Sequence, residues 1–304
     1  MRVIYVMGLW RSGSTLLDVV LGNHGSIESV GELRNLPGLG WMERGTCGCG
    51  ETAGDCEYWQ SVREHWTRRV GRGRVPSLIQ LQDRFERLRS LPWLLRQSAR
   101  PSPAFREYGT MVGALYDAIG EVSGRPIVVD STKYPARAYA LSLTRRVNLY
   151  LVHLVRDGRA VIWSCMRKPN TMPDGRVPET DAGALARRTT LQWLQVNLAC
   201  DALLRAPSTV GVRVRYEDLV ANPADALVPI GSMLGIDMRD LATDLRSGQE
   251  MRIGHLIAGN RIRMRGALRL SPDMEWATRL PVGHRRLFWA CAGWLARRYG
   301  YSRA

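Results

Sequence analysis

The chain has 304 residues, 45% of them hydrophobic, and carries 43 Lys and Arg against 28 Asp and Glu, a net charge of +15. That length buries a full core and that apolar content excludes a disordered polyelectrolyte, while no apolar run approaches a membrane span. The excess charge suits an anionic ligand, with most arginines spread over solvated faces.

In chain order, Val3 to Met7 reads as a buried strand. Gly8-Leu9-Trp10-Arg11-Ser12-Gly13-Ser14-Thr15 then turns into an apolar helix carrying Leu16, Leu17, Val19, Val20 and Leu21. A short extended piece from Ile27 to Val30 ends at Glu32. Residues 37–60 are rich in Gly, Cys and Trp and read as a loop. Residues 61–122 are mainly helical, with Leu78, Leu81, Phe85, Leu88, Leu91, Leu94 and Leu95 at three- and four-residue spacing, a break at Pro101 and Pro103, and a second helix from about Phe105 to Val122. A strand follows at Ile127-Val128-Val129, ending in Asp130-Ser131-Thr132-Lys133. Another spans Asn148 to Val155 and turns at Arg156-Asp157-Gly158 into a helix that holds Ser164. Pro169, Pro173, Gly175 and Pro178 mark residues 168–182 as a mobile loop. A helix from about Gly183 to Leu204 leads to a strand from Val210 to Val214, and a last helix runs from Val282 to Tyr299, its aromatic residues Phe288, Trp289 and Trp294 suiting core packing better than membrane contact. Residues 1–304 read as one domain, with 37–122 as a helical cap inserted into it.

The first turn has the layout of a phosphate cradle, a strand entering a Gly-rich turn and a helix N-terminus. Gly8, Gly13 and Thr15 match the nucleotide-triphosphate loop, but Ser14 stands where its lysine belongs, and Arg11 is the cation instead. This argues for an anion other than ATP or GTP. A P-loop small-molecule kinase using ATP and magnesium is the enzymatic alternative, for which Asp130 is the one clear strand-end carboxylate after an apolar run. A basic protein that binds nucleic acid or membrane surfaces is the non-enzymatic one; the ordered motifs speak against nucleic acid and leave only peripheral membrane contact.

Together, R-S-G-S-T-L-L at Arg11–Leu17, D-S-T-K at Asp130–Lys133 before Pro135, and L-V-R-D-G-R-A-V from Leu154 with Ser164 downstream resemble the sulfotransferases, most closely bacterial ones related to the tyrosylprotein sulfotransferases. Gly31-Glu32-Leu33-Arg34, Arg215-Tyr216-Glu217-Asp218 and Gly259-Asn260-Arg261 agree. The resemblance implies a three-layer α/β P-loop-type fold, a central parallel sheet flanked by helices, and the donor 3′-phosphoadenosine 5′-phosphosulfate. The acceptor would be a hydroxyl of a small molecule, saccharide or glycolipid, and the reaction would need no metal. Arg11, Ser12, Gly13, Ser14 and Thr15 would hold the 5′-phosphosulfate, and Arg156 and Ser164 the 3′-phosphate, joined by Arg167 or Lys168. Lys133 would approach the bridging oxygen, its alternative being an ion pair with Asp130. Glu32 would be the general base, its alternative being a salt bridge to Arg34; the relatives carry two adjacent glutamates there and this chain has one. Tyr216 would lie near the adenine. Arg261, Arg263 and Arg265 would close over the 3′-phosphate or else form one exposed face.

His is the base in other sulfotransferases, but none follows Lys133. His24 and His153 suit capping or core roles, and His255 is the fallback. Cys47, Cys49 and Cys56 cluster as C-G-C-G-x5-C. They suit loop packing best. Zinc would require a fourth ligand, for which His65 is the nearest candidate, and a disulfide to Cys56 suits a reducing cytosol poorly. The N-terminal apolar run meets Arg11 with no cleavage-site pattern, so the cytoplasm is the expected location.

Overall fold

A computed structural model of the chain describes residues 1–167 and 181–303. Five segments form a parallel sheet, β1 (Arg2–Met7), β2 (Ile27–Ser29), β3 (Ile127–Lys133), β4 (Asn148–Val155) and β5 (Val210–Arg215), in the order β2-β3-β1-β4-β5. The inner strands β3, β1 and β4 are mostly buried on both faces and carry apolar runs, whereas the edge strand β5 (V-G-V-R-V-R) alternates and is only partly buried.

Along β1, Ile4 and Val6 face one layer of helices, and Val3, Tyr5 and Met7 face the other. The first layer holds α1 (Ser14–Gly22) and, from the C-terminal half, α9 (Tyr216–Ala221), α10 (Pro223–Leu234) and α11 (Arg239–Arg246). The second holds α5 (Pro103–Ser123), α6 (Pro135–Ser142), α7 (Gly158–Arg167), α8 (Ala182–Leu204) and α13 (Val282–Arg298). α2 (Glu57–Val70), α3 (Val75–Phe85) and α4 (Leu91–Ala99) share its core through residues such as Trp59, Trp66, Leu78 and Leu94. Each fully buried Leu, Ile or Val in these layers contributes about 1.5–3 kcal/mol relative to exposure. The expected three-layer α/β arrangement is therefore present.

The predicted single stretch of helical spacing from Leu78 to Leu94 is broken. α3 stops at Phe85, and the chain turns before α4, so Leu78, Leu81, Phe85 and Leu94 are buried while Leu88 and Leu95 are exposed. Ser102 then caps α5 by accepting the Phe105 N–H at 3.2 Å. In the C-terminal segment, β6 (Met251–Arg252) and β7 (Ala267–Leu268) pair antiparallel around a 3₁₀ turn at Arg261–Met264, and α12 (Trp276–Arg279) precedes α13. Phe288 and Trp289 on α13 are buried, and Trp294 is exposed. The loop read at 168–182 lies outside the described residues up to 180; Asp181 caps α8. No helix among the described residues is long and apolar enough to cross a membrane.

Strand order reverses around β1. The chain leaves β1 toward β2 on one side and, after β3, crosses to β4 on the other. In sheets of this kind ligands bind outside the carboxyl ends of the strands at such a reversal.

Candidate functional site

All five strands deliver a predicted residue to that edge. Arg11 to Thr15 follow β1, Glu32 follows β2, Lys133 ends β3, Arg156 follows β4 and Tyr216 follows β5.

The cradle after β1 is shaped by close approaches. A side chain at Gly8 would lie 2.4 Å from the Leu154 carbonyl, so only glycine lets the turn start beside β4. Arg11 (φ 67°) and Gly13 (φ 94°) both take the left-handed conformation. For Arg11 that is costly, on the order of 1–3 kcal/mol, and such strain concentrates at functional turns. Gly13 is the residue before α1, where the first backbone N–H groups have no partner within the helix. With Ser12, Ser14 and Thr15 all buried around it, the turn has the character of an anion nest.

Lys133 is also left-handed (φ 78°), at a point where the β1–β3 register slips between Tyr5 and Met7. The slip carries its side chain to Glu32, with which it forms an ion pair; its ammonium also donates to the Ser131 carbonyl at 3.4 Å. Glu32 is held from two further directions. Its N–H donates to the Ile257 carbonyl at 2.8 Å, and its second carboxylate oxygen accepts from Asn35 Nδ2 at 3.0 Å. The alternative partners fall elsewhere. Arg34 pairs with Asp83 at 2.7 Å and with Glu86 at 3.2 Å, and Asp130 is turned into the protein interior.

Asp130 anchors a buried network. It pairs with the fully buried Arg137 at 3.1 Å, accepts from Tyr116 at 2.7 Å, and accepts backbone N–H bonds from Thr132 at 2.9 Å and Leu33 at 3.4 Å. Arg137 also pairs with the buried Glu86. The network clamps the residues next to Lys133 and Glu32. It also removes the kinase alternative's metal carboxylate, because Asp130 is spent on Arg137 inside the core.

Arg156 donates to the Arg11 carbonyl at 3.0 Å and to Asp273 at 3.1 Å, and its guanidinium lies 4.2 Å from the Tyr216 ring centre. Its Nε is buried with no hydrogen-bond partner among the described residues. The Tyr216 ring in turn packs on Gly13, where an added Cβ would lie 2.4 Å from it. Thus Arg11, Gly13, Arg156 and Tyr216 are one assembly. Ser164 is buried on α7. Arg167, at the end of that helix, reaches Asp273 at 3.4 Å and also pairs with Glu275; Lys168 lies outside the described residues.

The C-terminal loop closes on the cradle through Gly259 and Asn260. The Asn260 N–H donates to Thr15 Oγ1 at 3.1 Å, and a Cβ at Gly259 would lie 3.0 Å from that oxygen and 3.4 Å from Glu32 Oε1. Arg261, Arg263 and Arg265 do not share one face, because the turn is 3₁₀ rather than extended. Arg261 and Arg265 are exposed, whereas Arg263 is half-buried, donates to the Thr46 carbonyl at 3.1 Å, and has its pKa lowered by burial.

The histidines separate cleanly. His153 is buried against Asn197 at 2.8 Å, and burial lowers its pKa to about 4. His24 meets the Asp237 carbonyl at 3.1 Å. His65 faces Glu121 at 2.9 Å, not the cysteines. His255, the fallback base, lies instead among Cys47, Cys49 and Cys56.

Two acidic residues of this region escape sequence reasoning. Asp273 sits in an irregular segment with no motif around it. Asp18, on α1, is fully buried and accepts from Ser29 at 2.7 Å and from Ser131; burial raises its pKa to about 7 against those hydrogen bonds. A lone carboxylate inside L-L-D-V-V-L was the available signal.

A family model described as the sulfotransferase family matches residues 3–240. Among solved structures, the sulfotransferase domain of the Synechococcus PCC 7002 olefin synthase is similar at 20% identity, over 99% of this chain and 95% of that one, with a TM-score of 0.53. The sulfotransferase domain from the curacin biosynthetic pathway is similar at 19% identity, over 98% and 97%, with a TM-score of 0.52. At these identities the likeness is one of fold. No curated protein matches the chain.

Proposed function

The chain belongs to the sulfotransferase family, and from that premise we propose that it moves a sulfuryl group from 3′-phosphoadenosine 5′-phosphosulfate to a hydroxyl of a small molecule, saccharide or glycolipid. The observation that carries this reading is the convergence of Arg11, Gly13, Lys133, Arg156 and Tyr216 at one strand edge, with Glu32 beside Lys133.

The residues fit such a donor. The left-handed turn from Arg11 to Gly13 and the free N–H groups of α1 suit the 5′-phosphosulfate. Arg156, with a buried and unsatisfied Nε, suits a second phosphate, for which the planar guanidinium is well matched. Ser164 is proposed to join it, and of the three loop arginines Arg263, which is half-buried and has Glu32 among its charged neighbours, is proposed to reach the donor. Tyr216 offers its ring beside Arg156 for the adenosine end.

Group transfer of this type is mainly positioning and charge stabilisation. Glu32 accepts the proton of the acceptor hydroxyl as its oxygen bonds to sulfur. The sulfur–oxygen bond to the 5′-phosphate breaks, and the electron pair leaves on that phosphate, where Lys133 and Arg11 meet the new charge. The ion pair then has a use in each state: Lys133 leaves Glu32 for the bridging oxygen, and Glu32 is left for the acceptor. This chemistry asks for no metal at the transfer site. Within one domain spanning 1–304, residues 37–122 are proposed as an insertion that shapes the acceptor pocket, although its last helix, α5, packs in the second helical layer against the sheet and is no cap; the cytoplasm is the proposed place of action.

Thermal-shift titration tests the donor. Adenosine 3′,5′-bisphosphate at about 100 times its Kd should stabilise the parent by about 2.7 kcal/mol, and the shift should vanish in Arg156→Ala. Stabilisation by ATP and magnesium alone would overturn the reading.

A further inference from the structure

His255, Cys47, Cys49 and Cys56 form a cluster that the transfer step proposed above does not use. Their side-chain ligand atoms all fall within 4.8 Å of one another. Cys49 Sγ and Cys56 Sγ are 3.7 Å apart, His255 Nδ1 is 3.2 Å from Cys56 Sγ and 3.7 Å from Cys47 Sγ. A tetrahedral zinc ion, with Zn–S of about 2.3 Å and Zn–N of about 2.0–2.1 Å, sets S···S near about 3.8 Å and S···N near about 3.6 Å. The Cys49–Cys56 and Cys47–His255 distances match those edges, and the Cys56–His255 distance of 3.2 Å is about 0.4 Å short of its own. The sulfurs of Cys49 and Cys56 are too far apart for a disulfide bond, and all three cysteines are free thiols.

We propose that Cys47, Cys49, Cys56 and His255 bind one structural zinc ion, a site separate from the transfer centre and independent of the donor reading. Binding exchanges three thiol protons for the ion, with neutral His255 as the fourth ligand through Nδ1. Four protein ligands close the coordination sphere and leave no place for water or substrate, which makes the site structural rather than catalytic. Thiolate-rich tetrahedral sites favour zinc over the harder divalent ions.

The backbone is built for this. Thr46 and Thr52 pair as a short antiparallel bridge, the Cys47 N–H donates to the Glu51 carbonyl at 2.8 Å, and the Gly50 N–H returns to the Cys47 carbonyl at 3.1 Å. Gly50 takes φ 101°, and a side chain at Gly48 would lie 2.4 Å from the Gly254 carbonyl, so the two glycines of C-G-C-G are what allow so tight a knuckle. Cys56 stands at the head of α2. The Tyr58 ring stacks on His255 at 4.6 Å and nearly parallel, fixing the imidazole plane.

The ion would add a covalent link between three pieces of chain that also meet through backbone bonds, the Tyr58–His255 stack and the buried side chains of Ala53 and Ile257. The Gly48 N–H donates to the Leu256 carbonyl at 2.9 Å, and Ile257 bridges both Cys47 and Gly31. Ile257 then fixes the Glu32 backbone, and Asn260, three residues on, reaches Thr15. Zinc at this point is a brace behind the transfer site.

The full chain, purified under reducing conditions, incubated with zinc and dialysed, should hold about one zinc per chain by elemental analysis, and Cys49→Ser and His255→Ala less than about a tenth of that. Hydrogen exchange of residues 253–260 should quicken in both variants, a change that loss of a mere surface thiol would not produce. A folded, fully reduced parent that takes up no zinc overturns the proposal, as does zinc retained in full by both variants. If the variants misfold, the parent's cobalt complex decides. Thiolate-to-cobalt charge-transfer bands with an intense tetrahedral spectrum support the site; a weak octahedral spectrum without them overturns it.

Discussion

The Lys133 ammonium is held by the Glu32 carboxylate, tying the left-handed end of β3 to the turn that follows β2. Because Asn35 holds the other carboxylate oxygen at 3.0 Å, Glu32 is oriented before any ligand arrives. In Glu32→Gln the side chain still accepts a hydrogen bond from Lys133, but it cannot take a proton. Turnover should fall about 10²–10⁴-fold while affinity for adenosine 3′,5′-bisphosphate stays within about threefold. Lys133→Met should lower turnover about 10²–10³-fold, as expected for loss of charge stabilisation at the leaving oxygen. The double variant should be little worse than the poorer single one, since the pair acts as a unit. Parental turnover in Glu32→Gln would move the base to another residue.

Asp273 occupies the Arg156 fork and also reaches Arg167. A carboxylate in that place mimics one oxygen edge of a phosphate, so a 3′-phosphate bound to Arg156 as proposed would compete with it. Partly exposed ion pairs are worth up to about 1 kcal/mol, so Asp273→Asn should tighten bisphosphate binding by up to about fivefold. Calorimetric titration of parent and variant measures this directly. Weaker binding in Asp273→Asn would mean that the carboxylate orients Arg156 rather than competing for it.

What could be read in the sequence, and what could not, follows from the range of the interactions. Lys133 was singled out by its motif and by the resemblance, whereas the cradle was legible because a phosphate-binding turn is local. Its glycines, hydroxyls and cation lie within eight residues of each other, between an apolar strand and an apolar helix. Glu32 was named only through the resemblance, and its pairing with Lys133 was not foreseen, since the two are 101 residues apart in the chain and nearer partners, Arg34 and Asp130, were expected. The network around Arg137 was not legible at all. An arginine in P-A-R-A-Y-A reads as a solvated helix residue, and only the fold brings Glu86 and Asp130 to it in the core. The same limit put His65 with the cysteines, because it is near in sequence, when His255 is near in space. The uniform leucine spacing across residues 78–94 misled for the opposite reason: periodicity does not register a turn that happens to preserve it.

Asp18 carries the pH dependence of the fold at its own position. Its ordinary pKa of 3.8 is raised to about 7, chiefly by burial, even though Ser131 and Ser29 hydrogen-bond to it. Between those values the unfolded chain has released the proton and the folded chain still holds it. The unfolded state therefore binds fewer protons, and stability falls as pH rises from about 4 to about 7, after which the loss is complete. The full deficit is on the order of 4 kcal/mol, taking about 1.36 kcal/mol for each pKa unit. Asn in this place cannot ionise, and the rotating hydroxyls of Ser29 and Ser131 can meet both its donor and its acceptor. Asp18→Asn should accordingly melt above the parent at pH 8 and at or below it at pH 5, with the two curves crossing between. Thermal denaturation of both proteins across that range is the measurement. A difference in Tm that does not change with pH would show that the buried carboxyl keeps one protonation state throughout.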